Sequence, residues 1–309
     1  MRTRLLALAI TAGIGLTTAS PSNAATSRTA VHFDLAKGQQ PENIALAPDG
    51  TAYVTFAAAR QVAAISPKGM IRILATLPAP ADGGAPALGF ALTTGIVRTT
   101  DGTLYFLYAS GDPATTGLYR LRPGRNPHRI AALPANGLPN GLAYDEPAKT
   151  FYLTDSVLGS ISTVPLSGGT ARTWSYAPEL AAAGFLGANG IKVRHGAIWA
   201  TNLDRGTLLR IPIRQGRPGP VQVKATGLAG IDDIAFTGNR DDQVIAALNA
   251  PNKVVRIDTD GRAVTLLTAG LQNPTSVAVR GRTLYVLSAA YLTAKDPNLI
   301  LATIGARHA

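Results

Sequence analysis

Short bursts of alternating apolar and polar residues run along this chain, each broken by a cluster of Gly, Pro, Asp or Asn. Residues 139–176 show the pattern best: GLAYD, the turn DEPAK, TFYLTD, then SISTVPL, the turn SGG and TARTWSY. Period-two alternation, β-branched and aromatic content and turn residues at each break predict four consecutive antiparallel strands. GIKV, AIWATN, GTLLRIPI and VQVKAT repeat the series, as do DIAF, QVIAAL, KVVRID and AVTLLT. Six segments open such a series: PENIALAPDGTAYVT from Pro41, TTGIVRTTDGTLYFLY from Thr93, PNGLAYDEPAKTFYLTD from Pro139, ANGIKVRHGAIWATN from Ala188, IDDIAFTGNRDDQVIAAL from Ile231 and PTSVAVRGRTLYVLS from Pro274. Repeats of roughly 40 to 50 residues with four strands each predict an all-β, six-bladed β-propeller. The last repeat has SVAV, TLYVLS and LILATI but no fourth strand, while AVHFDLA stands spare before the first. The N-terminal strand is therefore expected to complete the last blade and close the ring, which protects the open edges.

Composition changes this picture little. The 32 glycines and 21 prolines suit many tight turns. With no cysteine among 309 residues, disulfides, thiolate catalysis and zinc–thiolate sites are excluded. Residues 1–24 read as a secretory signal peptide: Arg2 and Arg4, an apolar run from Leu5 to Leu16, and small residues up to a cleavage point after Ala24. The expected organisation is thus a leader over 1–24 and one propeller domain over 25–309, secreted, with no membrane attachment after cleavage. The formal charge is +11, but the basic residues are scattered over turns with no dense run, which argues for a solvated surface and against nucleic acid. A monomer is expected.

Candidate chemistry appears when the six repeats are stacked in register. Their second residues are Glu42, Thr94, Asn140, Asn189, Asp232 and Thr275, and all should ring one mouth of the central channel. Four of the six are oxygen donors of the kind calcium takes, and two carboxylates balance a divalent ion. Zinc would ask for His or Cys. Read singly, Asn-Gly, Asp-Asp and Glu-Asn at strand starts are ordinary turn and strand-entry residues. The ends of the second strands, Tyr108, Asp155 and Asn202 among them, should reach the same face, as should two long connections over 78–92 and 175–188. Phe90 and Phe185 on those connections, with Thr94, Thr275, Tyr108, Asp155 and Asn202, are the expected substrate pocket. The alternative for Asp155 and Asn202 is a capped turn. His32, His128, His195 and His308 all read as surface residues, His195 at the opposite mouth.

The order Glu, Asn, Asn, Asp, with the PNGLAYD and ANGIKV segments and TNLDRGTLLRIPI over 201–213, resembles the calcium-dependent lactonase and phosphotriesterase superfamily. Gluconolactonase, senescence marker protein and luciferin-regenerating enzyme are among its members. The resemblance implies that Glu42, Asn140, Asn189 and Asp232 hold a catalytic Ca2+, and that Asp233 joins them. It implies that Asp232 is base or nucleophile in the hydrolysis of a small lactone or ester; for the histidine pair of the paraoxonase type this chain offers no candidate. Two rivals share the fold: a metal-independent enzyme similar to strictosidine synthase, and a non-catalytic propeller that binds a ligand at its mouth.

Overall fold

Alternation along each strand buries one set of side chains against the preceding sheet and the other against the following one. In the computed structural model, which describes residues 26–81, 83–238 and 241–305, this produces six antiparallel sheets around a channel. The expected leader lies outside these residues. Blade 1 runs outward from Pro41–Leu46 through Ala52–Phe56 and Gln61–Ile65 to Ile71–Thr76. Blades 2, 3 and 5 repeat this order, starting from Leu92–Arg98, Pro139–Asp145 and Ile231–Phe236. Blade 4 starts from Ala188–Arg194 and carries an extra two-residue strand, Arg217–Pro218, folded against the end of Thr207–Arg214. In blade 6 the inner strands Pro274–Arg280, Thr283–Ser288 and Asn298–Thr303 are completed by Ser27–His32, so the N-terminal strand closes the ring as expected.

The core is divided accordingly into six clusters, one between each pair of adjacent blades. On Leu104–Ala109, for example, Phe106 and Tyr108 face blade 1 while Tyr105 and Leu107 face blade 3. Both faces of each sheet are therefore apolar, and a single-residue slip would exchange the two sets. A seventh cluster differs in kind. Ala57, Ala85, Leu92, Ala109, Leu138 and Leu186, with Leu88, Val157, Leu203 and Tyr291 packed on it, gathers residues from connections and from the strand ends Leu92 and Ala109 at one mouth of the channel.

Each innermost strand breaks register at the same place. The pairing skips between Pro41 and Asn43, Thr93 and Ile96, Pro139 and Leu142, Ala188 and Ile191, Ile231 and Ile234, and Pro274 and Ser276. A β-bulge frees a residue from the ladder and re-aims it. All six candidate positions fall within these bulges.

In blades 2 to 4 the next residue is Gly95, Gly141 or Gly190. A Cβ at each would come within 2.6, 2.3 and 2.6 Å of the backbone oxygens of Asn140, Asn189 and Asp232 in the following blade. The glycine of each Asn-Gly pair is thus required by the approach of neighbouring blades, not by a turn. Hydroxyls then stitch the blades together. Thr55 donates to Thr94 O (2.7 Å), Thr94 to Pro139 O (2.8 Å), Thr154 to Asn189 O, Thr201 to Asp232 O (2.7 Å) and Thr275 to Pro41 O (2.8 Å).

Candidate functional site

Three carboxylates enter the channel at the capped mouth, and their surroundings separate them into a pair and a single. Glu42, Asp232 and Asp233 are all buried, as are Asn140 and Asn189. Asp233 is fully partnered: Lys192 Nζ stands 2.6 Å from its Oδ1, and Ser276 donates to Oδ2 at 2.6 Å. The resemblance implies that Asp233 joins the others at the ion; here each of its oxygens already accepts from a group of blade 4 or blade 6, an arrangement that partners this carboxylate without an ion. Lys192 also lines a cavity of about 480 Å³ at the opposite mouth, walled by Ile44, Ile96, Leu142, Phe236 and Val277. The Lys192–Asp233 ion pair therefore closes the floor of the site.

Among the described residues Glu42 and Asp232 have no such cation. Glu42 Oε2 accepts from the Tyr291 hydroxyl at 2.6 Å, and Asp232 Oδ2 accepts weakly from Asn249 Nδ2 at 3.3 Å. Among the described residues their other oxygens take part in no hydrogen bond. Burial pushes the Glu42 carboxyl up to about 7, helped by the charge of Asp233 and opposed by the Tyr291 bond. Burial likewise raises Asp232 well above the usual carboxylate range; the charges of Glu42 and Asp233 add to this, against the Asn249 bond. The Tyr291 phenol is raised too, mainly by burial and then by Glu42, so it is a donor throughout the neutral range.

The two asparagines complete the set. Asn140 Nδ2 donates to Ser156 Oγ at 3.0 Å, and that hydroxyl donates to Ala188 O at 2.6 Å. Because the amide nitrogen is fixed, Asn140 Oδ1 is left for the channel. The Asn189 side chain, 3% exposed, has no hydrogen bond to any described residue. Among the described residues no three His, Cys, Asp or Glu side chains gather as a metal-binding group, so any ion here would rest on two carboxylates and two amides. Hard oxygen donors carrying two negative charges fit calcium, with positions left for water or substrate.

The other expected pocket residues have structural partners. Thr94 and Thr275 are wholly buried and spend their hydroxyls on the neighbouring blade. Tyr108 is a core residue whose hydroxyl holds Pro78 O at the start of the first long connection. Asp155 caps a turn, accepting from Leu138 N, Val157 N and Leu158 N at 2.8 to 3.0 Å. Asn202 ties down the second connection, donating to Glu179 O and Ala181 O at 2.9 Å. Phe90 and Phe185 are exposed on the two connections, whose Ala85, Leu88 and Leu186 pack into the cap over the mouth. His32 pairs with Asp296 and His195 with Asp242, away from these groups; His308 lies outside the described residues. Sequence reasoning missed Tyr291, which is outside every repeat register, and Lys192, whose place on the inner strand is ordinary in sequence.

Residues 96–290 match the family model described as the SMP-30/gluconolactonase/LRE-like region. The chain belongs to this family. Asn140, Asn189 and Asp232 lie inside the matched stretch and Glu42 before it. Solved structures share the fold at low identity. A gluconolactonase from Xanthomonas campestris is 14% identical with a TM-score of 0.65, the match covering 91% of this chain and 90% of that one. The calcium-binding protein regucalcin from Agrobacterium tumefaciens is 18% identical at 0.63, covering 87% and 92%. A catalytically inactive virginiamycin B lyase from Staphylococcus aureus, with quinupristin, is 17% identical at 0.62, covering 87% and 82%. No curated protein sequence matches significantly.

Proposed function

We propose that this protein is a secreted, calcium-dependent hydrolase of the lactonase type that opens a small, uncharged cyclic ester. One observation carries the reading. Among the described residues Asp233 alone of the three buried channel carboxylates has a cation, while burial raises both Glu42 and Asp232, the charge of Glu42 adds to the rise of Asp232, and each keeps one oxygen without a described hydrogen bond. A buried charge without a partner is expensive, and a divalent ion is the partner these two lack. Glu42, Asp232, Asn140 and Asn189 would hold it, consistent with membership of a family that includes gluconolactonases.

A bound divalent cation supplies Lewis acidity toward a carbonyl oxygen and its developing negative charge. The chain does the rest. Asn249 donates only weakly to Oδ2 of Asp232, so this oxygen could take a proton from an attacking water and pass it to the leaving alkoxide while Oδ1 would serve the ion. Ser156 holds the Asn140 amide in one orientation. The apolar residues of the cap favour a weakly polar ring over a charged sugar acid.

Calorimetric titration of the mature protein with Ca2+ tests the reading. Binding is expected in the wild type and lost in Asp232→Ala, together with lactone hydrolysis followed by acid release. No binding at millimolar calcium would overturn it.

A further inference from the structure

Glu42 is reached by Tyr291 from a segment that no strand pairing holds. Residues 289–297 lie between the second and third strands of blade 6, and two of their alanines are left-handed: Ala290 at φ 56° and Ala294 at φ 49°. Alanine adopts that conformation only where the surroundings impose it. Here they do, through Asn273. Its Oδ1 accepts from Leu292 N at 2.8 Å and Thr293 N at 3.0 Å, its carbonyl accepts from Ala289 N at 3.1 Å, and its own φ is 57°. Gln272 O accepts from Ala290 N at 2.6 Å, and Gln40 Nε2 holds Ala289 O from blade 1.

The anchor is joined to the other acid. Asn273 Nδ2 donates to Asn249 O at 3.4 Å, and the Asn249 side chain donates to Asp232 Oδ2. Asn252 Oδ1 accepts from Asn273 N at 2.7 Å, which fixes the anchor against blade 5. One polar chain therefore runs from Asp232 through Asn249 and Asn273 to the segment that carries Tyr291, and ends on Glu42 Oε2. This leaves each carboxylate with one oxygen held and one free.

We propose that Tyr291, held by Asn273, is a positioning residue that orients Glu42 for the cation. The phenol occupies Oε2, which would leave Oε1 to serve the ion. This rests on the reading of Glu42 and Asp232 as ligands. A donor behind a ligating carboxylate fixes its direction and is worth about ten- to a hundred-fold in metal affinity.

The test is calcium affinity by calorimetry in the wild type and Tyr291→Phe, with near-ultraviolet circular dichroism recorded along the titration. Phenylalanine keeps the ring in the apolar cap and removes only the hydroxyl. The expected result is an affinity lower by about ten- to a hundred-fold, and loss of a cation-dependent tyrosine band seen in the wild type. Asn273→Gly, which keeps the left-handed backbone and removes the anchor, should weaken affinity in the same direction. Unchanged affinity in Tyr291→Phe would overturn the assignment, and tighter binding would overturn it by showing that the phenol competes with the ion. Absence of binding in the wild type would instead remove the metal reading itself, and this inference with it.

Discussion

Replacing Glu42 by Gln should make the cation-free protein more stable above neutral pH. The unfolded chain releases the Glu42 proton near 4.5, and the folded chain holds it up to about 7. Between those values the folded state binds the extra proton, so stability falls as pH rises through that window and is level above it. The loss from this one group is about 3 kcal/mol, from the difference between the two values at 1.36 kcal/mol for each pH unit. Asp232 acts in the same direction, since its acid form is favoured even more by burial. Glutamine keeps an acceptor for Tyr291 and carries no charge, so it avoids the loss. In chelator at about pH 8, Glu42→Gln should melt roughly 6 to 12 °C above the wild type, taking about 2–4 °C for each kcal/mol in a domain of this size. At about pH 4 the two curves should converge, because the wild-type carboxyl is then largely protonated in the unfolded as well as the folded chain. Adding calcium at the higher pH should reverse the order, since the ion stabilises only the protein that can bind it. Differential scanning calorimetry with chelator and with calcium reads all of this. A Glu42→Gln protein no more stable than the wild type in chelator at pH 8 would refute the argument, because it would mean the carboxylate is already compensated.

Two further outcomes follow from the same geometry. Lys192→Met leaves Asp233 buried without its cation and should cost about 3–5 kcal/mol in chemical denaturation; adding Asp233→Asn should restore much of it, and a double variant no better than the single would break the assignment of the pair. Asn202→Ala frees the carbonyls of Glu179 and Ala181 and should cost about 1–3 kcal/mol while raising proteolysis of that connection, with calcium affinity unchanged; a large fall in affinity would show that Asn202 belongs to the site after all.

The fold was legible in the sequence because a propeller repeats one problem six times. Each strand must bury both faces, so its alternation is strong, and the turn residues recur at the same offsets. Ring closure was legible from simple arithmetic of strands, one missing at the end and one spare at the start. The bulged ring of Glu42, Asn140, Asn189 and Asp232 was legible for the same reason, since register alone brings these residues to one mouth. What the sequence hid is whatever breaks the repeat. Tyr291 occupies an irregular connection, and its direction depends on a left-handed backbone anchored by Asn273 rather than on any periodicity. Tyr108, Asp155 and Asn202 stand at register positions that face the mouth, yet each is bound to a local backbone group that a repeat alignment cannot reveal.

Asp233 shows why the distinction matters for function. It follows Asp232 directly and, by resemblance alone, joins it at the ion. The residue after the candidate position is glycine in blades 2 to 4, Asn43 in blade 1 and Ser276 in blade 6, but Asp233 in blade 5, so a carboxylate enters there where no other blade has one. Lys192, two residues beyond Gly190, places an ammonium against it. The internal ion pair removes one negative charge from the channel and leaves two at the mouth. A third free carboxylate would add repulsion at the site in the absence of an ion and would overcompensate a divalent ion in its presence. Lys192 therefore sets the charge of the candidate centre without touching it, and the match of two charges to one divalent cation is a property of the whole channel rather than of the four donors alone.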